Sequence, residues 1–256
     1  MSRAVHYGSH HAQVAEVWRP PGGGDRPVVV LLHGGFWRQV YTKRLMHDLA
    51  RAVMAHGWAA YNVEYRRVGA LGRGGWPATF DDVSAAIDAL AGIPGVDPRR
   101  VVTCGHSAGG HLALWAGSDR HTGSAPAGAA HPVRPCAAIS LAGVVDLVAA
   151  ARQGVGGGAV EALMGGSPDD HPQRYALGSP AALLPLGIPQ LLVHGTGDTT
   201  VPPSLSEDYA ARARAGGDDA PYVPLAGASH MEMIDARGAA FAAVAALLDR
   251  IVPPET

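Results

Sequence analysis

The sequence predicts an α/β fold: a mostly parallel central sheet with helices on both faces. Three observations predict it. Apolar runs of strand length alternate with amphipathic runs of helical period, the pattern of parallel strands joined by crossover helices. A length of 256 residues suits one such domain with a sizeable core, so residues 1–256 are expected to form a single domain. Glycine-rich turns follow the strand-like runs, at the carboxyl ends where the functional loops of such sheets gather.

The elements follow in order. "VVVLLH" (Val28–His33) is a buried strand, and Thr42–His56 has helical periodicity. Trp58–Glu64 is the next strand. Thr79–Leu90 is the next helix, with Thr79, Asp81 and Asp82 read as its start. Val101–Cys104 is β-branched and apolar, and it runs into a helical stretch at Ala108–Ser118. Strands are then expected at Ala137–Leu141, Gln190–His194 and, with a weaker pattern, Tyr222–Pro224. Helices are expected at Pro203–Ala215 and Ala236–Ile251. The stretches Pro20–Pro27, Gly69–Gly75, His121–Pro132 and Gln153–Gly158 read as loops between these segments, not as domain linkers. Near 146–180, "VEALMGG" is the one clearly helical piece.

Composition narrows the function classes. A formal charge of −2 gives no reason to expect nucleic acid or an anionic membrane as partner. Cys104 and Cys136 sit in apolar runs and read as buried free thiols, with no disulfide framework and no metal quartet. The N-terminal stretch lacks the apolar core of a signal peptide, and no run is apolar and long enough to span a bilayer. A cytoplasmic protein is the expectation. Oligomeric state is not written in the sequence.

The stretch "VVTCGHSAGGHLALWAG" (Val101–Gly117) carries the chemistry. A strand that becomes a helix within so few residues must turn sharply, and the glycines of Gly105-His106-Ser107-Ala108-Gly109 let the backbones pack closely there. That is the geometry of a nucleophile elbow, with the Ser107 hydroxyl at its apex. A serine becomes a nucleophile when a base takes its proton and an acid holds the base's tautomer. An acid and then a histidine should follow, each just after a strand. Asp198 in "PQLLVHGTGDTTVP" and His230 in "YVPLAGASHMEMID" occupy those places. Asp235 is the competing acid, but it lies just beyond His230, close to the last helix. Among thirteen histidines, His106 and His111 are expected to support the elbow, and His33 and His194 to brace loops. Donors for an oxyanion are expected from the backbone amides of Gly35, Phe36 and Ala108. Phe36 and Trp37 directly follow the oxyanion turn, where their rings could line the substrate pocket.

"HGGFW", "GHSAGGH", "HGTGDTTVP" and "GASH", in that order, resemble the α/β-hydrolase superfamily, close to its HGG-type esterases and arylformamidase-like branch. "YRRVGALGRGGWPATFDDV" (Tyr65–Val83) resembles the stretch linking an early strand and helix in these enzymes. The resemblance implies hydrolysis of a small-molecule ester or formamide through an acyl-enzyme, without metal or organic cofactor. It implies Ser107 as nucleophile, Asp198 as acid partner and His230 as base. Hormone-sensitive-lipase-like members carry a third glycine where this chain has Phe36, a departure that points towards the formamidase-like branch. The resemblance also implies a small cap-like insertion near 146–180, and its first reading is a carboxylesterase for small acyl groups, with an arylformamidase as the alternative. A prolyl-oligopeptidase-like peptidase and a non-enzymatic binding protein are weaker alternatives.

Overall fold

Side chains of the central strands alternate between two cores, and that alternation organises the molecule. The structure is a computed structural model and describes residues 2–120, 122 and 131–252. The loop expected at His121–Pro132 therefore lies outside the described residues except for Thr122, His131 and Pro132. The strands are β1 (Arg3–His6), β2 (Val14–Trp18), β3 (Arg26–Leu32), β4 (Ala59–Val63), β5 (Val96–His106), β6 (Ala137–Leu141), β7 (Gln190–Gly195) and β8 (Tyr222–Leu225). They form one sheet in the order β1-β2-β4-β3-β5-β6-β7-β8. The six strands from β4 to β8 are parallel, with Leu31 opposite Cys104 and Leu141 opposite Val193. Val28, Val30 and Leu32 face one core, and Val29 and Leu31 face the other.

β1 and β2 pair antiparallel at one edge, and neither was expected from the sequence. An edge strand buries one face or none, so it lacks the continuous apolar run that marks a central strand. β2 buries only Ala15 and Val17, and β1 buries no side chain fully.

α1 (His47–Ala55) lies on one face of the sheet, and α2 (Ala78–Asp88) and α3 (Ala108–Ala116) lie on the other. The expected helix at Thr42–His56 begins as a 3₁₀ turn over Lys43–Met46. α2 starts one residue before Thr79, whose hydroxyl accepts from the Gly75 amide (2.9 Å) and donates to the Arg66 carbonyl (2.6 Å). All nine residues of α3 are buried, because a second layer covers its outer side. That layer is α4 (Leu147–Arg152), α5 (Ala159–Met164) and α6 (Pro172–Gly178), three short helices where one helical piece was expected. Each is about two turns or less, too short to display a period against its glycine-rich surroundings. Trp115 Nε1 donates to the Leu177 carbonyl (3.0 Å), and His111 Nε2 bonds the Gly178 carbonyl (2.8 Å). α7 (Pro203–Ala215) completes this face, and α8 (Ala239–Ile251) packs beside α1 on the other. Among the described residues no helix is long and apolar enough to cross a membrane.

Candidate active site

Ser107 is the single residue between β5 and α3, with φ 55° and ψ −120°. A non-glycine residue in that region costs on the order of 1–3 kcal/mol and persists only where its surroundings hold it. Here the Ser107 amide donates to the Leu141 carbonyl on β6 (2.8 Å), and the Ser107 carbonyl accepts from the His111 amide (3.2 Å). The two motif glycines are steric necessities. A Cβ on Gly105 would overlap the Gly109 carbonyl, and one on Gly109 would overlap the Leu32 carbonyl of β3. α3 thus rests directly on strand backbone, and the elbow is its consequence.

Asp198 and His230 come from the loops after β7 and β8, and the structure brings them together. His230 Nδ1 lies 2.6 Å from Asp198 Oδ2. The opposite carboxylate oxygen, Oδ1, accepts the amides of Thr200 (2.8 Å) and Val201 (3.0 Å). Burial works to raise this carboxyl, but the bonds from His194, His230 and the two amides hold it well below the usual carboxylate range. Asp198 is therefore an anion at any working pH. With Nδ1 committed to the carboxylate, His230 keeps Nε2 for a proton taken from a hydroxyl.

The other histidines take distinct places. His106 Nε2 bonds the His230 carbonyl (3.0 Å), and the two rings lie 4.5 Å apart, so the elbow and the His230 loop are fastened to each other. Burial and the neighbouring His230 push His106 down to about 3. Burial pushes His111 down to about 4. Both rings are neutral where an exposed imidazole titrates. His194, expected to brace a loop, does more: its Nε2 lies 3.0 Å from Asp198 Oδ2, the oxygen His230 uses. Asp235 is exposed and accepts the Arg237 amide (2.9 Å).

The turn from Gly34 to Trp37, where oxyanion donors were expected, sits against the elbow. A Cβ on Gly34 would lie 3.0 Å from Ser107 Cβ, so the turn's backbone is in contact with the serine. Gly35, Phe36 and Trp37 follow with φ of 111°, 52° and 55°. The Arg38 amide donates back to the Gly35 carbonyl (2.9 Å), which closes the turn. Ala108 is the first residue of α3, where amides have no intrahelical partner. Of the two rings expected at the pocket, Trp37 is fully buried, edge-on to His111. Phe36 keeps an exposed face and packs against Gly156 of the α4–α5 turn.

What holds the turn escaped the sequence reading. Glu64, just past β4, places Oε1 2.8 Å from His33 Nε2 and 3.2 Å from Arg67, while Oε2 accepts the Lys43 amide (3.1 Å). Arg67 in turn donates to the Tyr41 carbonyl. One carboxylate thus grips both ends of the segment from 33 to 43. Burial would raise the Glu64 carboxyl, but the bond and charge of His33, with Arg67 and the Lys43 amide, bring it below its ordinary value. Replacing Glu64 by Ala is expected to cost about 3 kcal/mol, as for a buried pair that loses one partner. Amide exchange in residues 34–42 should rise beyond the global change, read by hydrogen-exchange mass spectrometry beside a thermal melt. Exchange no faster than in the rest of the sheet would remove this role. The sequence signal was the "EYRR" run at a strand end, where Tyr65 stacks on His33 and Arg67 reaches Glu64.

Among the described residues no group of three or more His, Cys, Asp or Glu is disposed to hold a metal ion.

Esterase LipC of Mycobacterium tuberculosis (strain ATCC 25618 / H37Rv) is 29% identical over 244 residues, which cover 89% of this chain and 59% of that protein. The chain thus spans less than two thirds of that relative's length. A truncated form of a carbohydrate esterase from gut microbiota superimposes with a TM-score of 0.83 at 19% identity, over 98% of this chain and 96% of that one. Thermogutta terrifontis esterase 2, phosphoramylated by tabun, does so with a TM-score of 0.77 at 25% identity, over 97% and 92%. The sheet and its loops are those of the α/β-hydrolase fold. The BD-FAE family matches residues 16–212, and the chain belongs to that family.

Proposed function

We propose that this protein is a serine esterase cleaving small carboxylic esters through an acyl-enzyme. The carrying observation is the 2.6 Å pair of His230 and Asp198, on a loop fastened to the elbow that presents Ser107. His230 Nε2 takes the Ser107 proton as Oγ attacks the ester carbonyl, while Asp198 keeps Nδ1 protonated and stabilises the imidazolium. The amides of Gly35, Phe36 and Ala108 receive the developing oxyanion. His230 then protonates the departing alcohol, and water repeats the sequence to release the acid. The similarity to a curated esterase and to an esterase that tabun phosphoramylates supports this reading. The segment near 146–180 serves as a short cap in one hydrolase domain, and Phe36 against Gly156 walls one side of the acyl position.

A series of p-nitrophenyl esters beside N-formyl arylamides tests the substrate class. With an apolar acyl pocket, kcat/KM rises from acetyl to butyryl, each methylene being worth roughly 1–3 kcal/mol. A steep fall along the series, with rapid deformylation of N-formyl arylamines, would replace the esterase by an arylformamidase.

A further inference from the structure

Asp198 is bonded by two imidazoles on one oxygen, and the proposed mechanism uses only one of them. His194 and Asp198 are both buried, with no exposed surface on either side chain. His194 Nε2 faces two acceptors, Asp198 Oδ2 at 3.0 Å and the Val201 carbonyl at 3.1 Å, so this nitrogen carries the proton. Its Nδ1 accepts from the hydroxyl of Ser206, a fully buried residue of α7, at 2.8 Å. The chain Ser206–His194–Asp198–His230 therefore runs from a helix through the triad acid to the base.

We propose that His194, oriented by Ser206, is a positioning residue that aims Asp198 Oδ2 at His230 and moderates its pull on the base. The inference rests on the esterase reading for its catalytic meaning, but not for its geometry. Oδ1 is fixed by two amides from its own loop, so the rotation of the carboxylate is set on that side by local backbone alone. Oδ2 is set by His194, which comes from strand β7 and not from the loop. The donor also draws charge from the oxygen that His230 uses. Removing it leaves the carboxylate a stronger acceptor, which favours protonated His230.

The groups facing His230 are few enough to interpret such a change. Asp198 faces it from the β7 loop, and the His106 ring faces it from the elbow at 4.5 Å. Ser107 adjoins His106 in the chain, and on His230's own turn Glu232 is engaged by the Ser229 amide at 2.7 Å. Asp198 itself is faced by His194, His230 and the amides of Thr200 and Val201.

The test is an NMR titration of the ¹⁵N-labelled imidazoles in the whole chain, with the kcat/KM pH profile for p-nitrophenyl butyrate beside it. His194→Leu keeps the bulk and removes the donor. Its His230 titration should move up by roughly half a unit to one unit, and kcat should fall several-fold. His194→Gln, whose amide reaches the Nε2 position, should restore both. Ser206→Ala should move the titration in the same direction by less, and it carries the test if the leucine variant does not fold. A residue that merely fills space would lower the melting temperature and leave the His230 titration in place. Superposition of the leucine or alanine titration on that of the parent overturns the proposal, as does an equal displacement in His194→Gln. Because the titration needs no turnover, it decides the matter even if the esterase reading fails on the substrate series.

Discussion

Ser107→Ala is expected to reduce ester hydrolysis to background, a loss of about 10⁶-fold in kcat by the scale of serine-nucleophile deletions in other enzymes. The size follows from the covalent step, since no other group at the elbow can form the acyl bond. Labelling by a fluorophosphonate should disappear with it. The fold should remain, because what holds residue 107 at φ 55° is backbone: its amide on the Leu141 carbonyl and the close contacts of Gly105 and Gly109. A circular-dichroism melt superposing on that of the parent would verify this. Retained labelling in the folded variant would move the nucleophile elsewhere.

Asp198→Asn is expected to cost about 10⁴-fold in kcat, the scale seen when a triad acid becomes an amide. The structure gives a reason specific to this chain. Both carboxylate oxygens face donors only: Thr200 and Val201 on Oδ1, His194 and His230 on Oδ2. An asparagine must set its NH₂ against one of those pairs. Turned towards the imidazoles, it forces His230 to put its proton on Nε2, where it can no longer take one from Ser107. Turned towards the amides, it leaves three donors crowded together. Thermal stability should fall as well, because either orientation buries unmatched donors. Steady-state kinetics and a melt read both effects. Asp235→Asn is the control and should be nearly silent, since Asp235 is exposed and bonded to its own turn. The reverse ranking of the two variants would reassign the acid. With His106 and His111 held to about 3 and 4, neither charges in the range where an imidazole base does. Neither ring should therefore give kcat/KM an acid limb in the neutral range, which a pH–rate profile reads directly.

Local order determined what the sequence could settle. The junction at Ser107 was legible because a strand, a serine between glycines and a helix are adjacent in the chain, and the steric demand falls on the same few residues. The central strands were legible because burial on both faces demands unbroken apolar runs, as in "VVVLL". The positions of Asp198 and His230 were legible from strand ends, since parallel topology puts those loops on one edge of the sheet. Only the tertiary structure decided the rest, and in each case the cause is a contact between distant segments. Glu64 reaches His33 across 31 residues because β4 lies beside β3. His194 bonds the same oxygen as His230, which no spacing along the chain encodes. Trp37 follows the oxyanion turn in sequence yet is sealed against His111 by the packing of α3 beneath the short helices. β1, β2, α4 and α6 were missed because they bury one face or span too few residues to show a period. Sequence specifies the backbone's local geometry at the elbow. Which side chains surround Asp198 and hold the turn at 34–37 is fixed only when the sheet order brings β4, β3, β5 and β7 together.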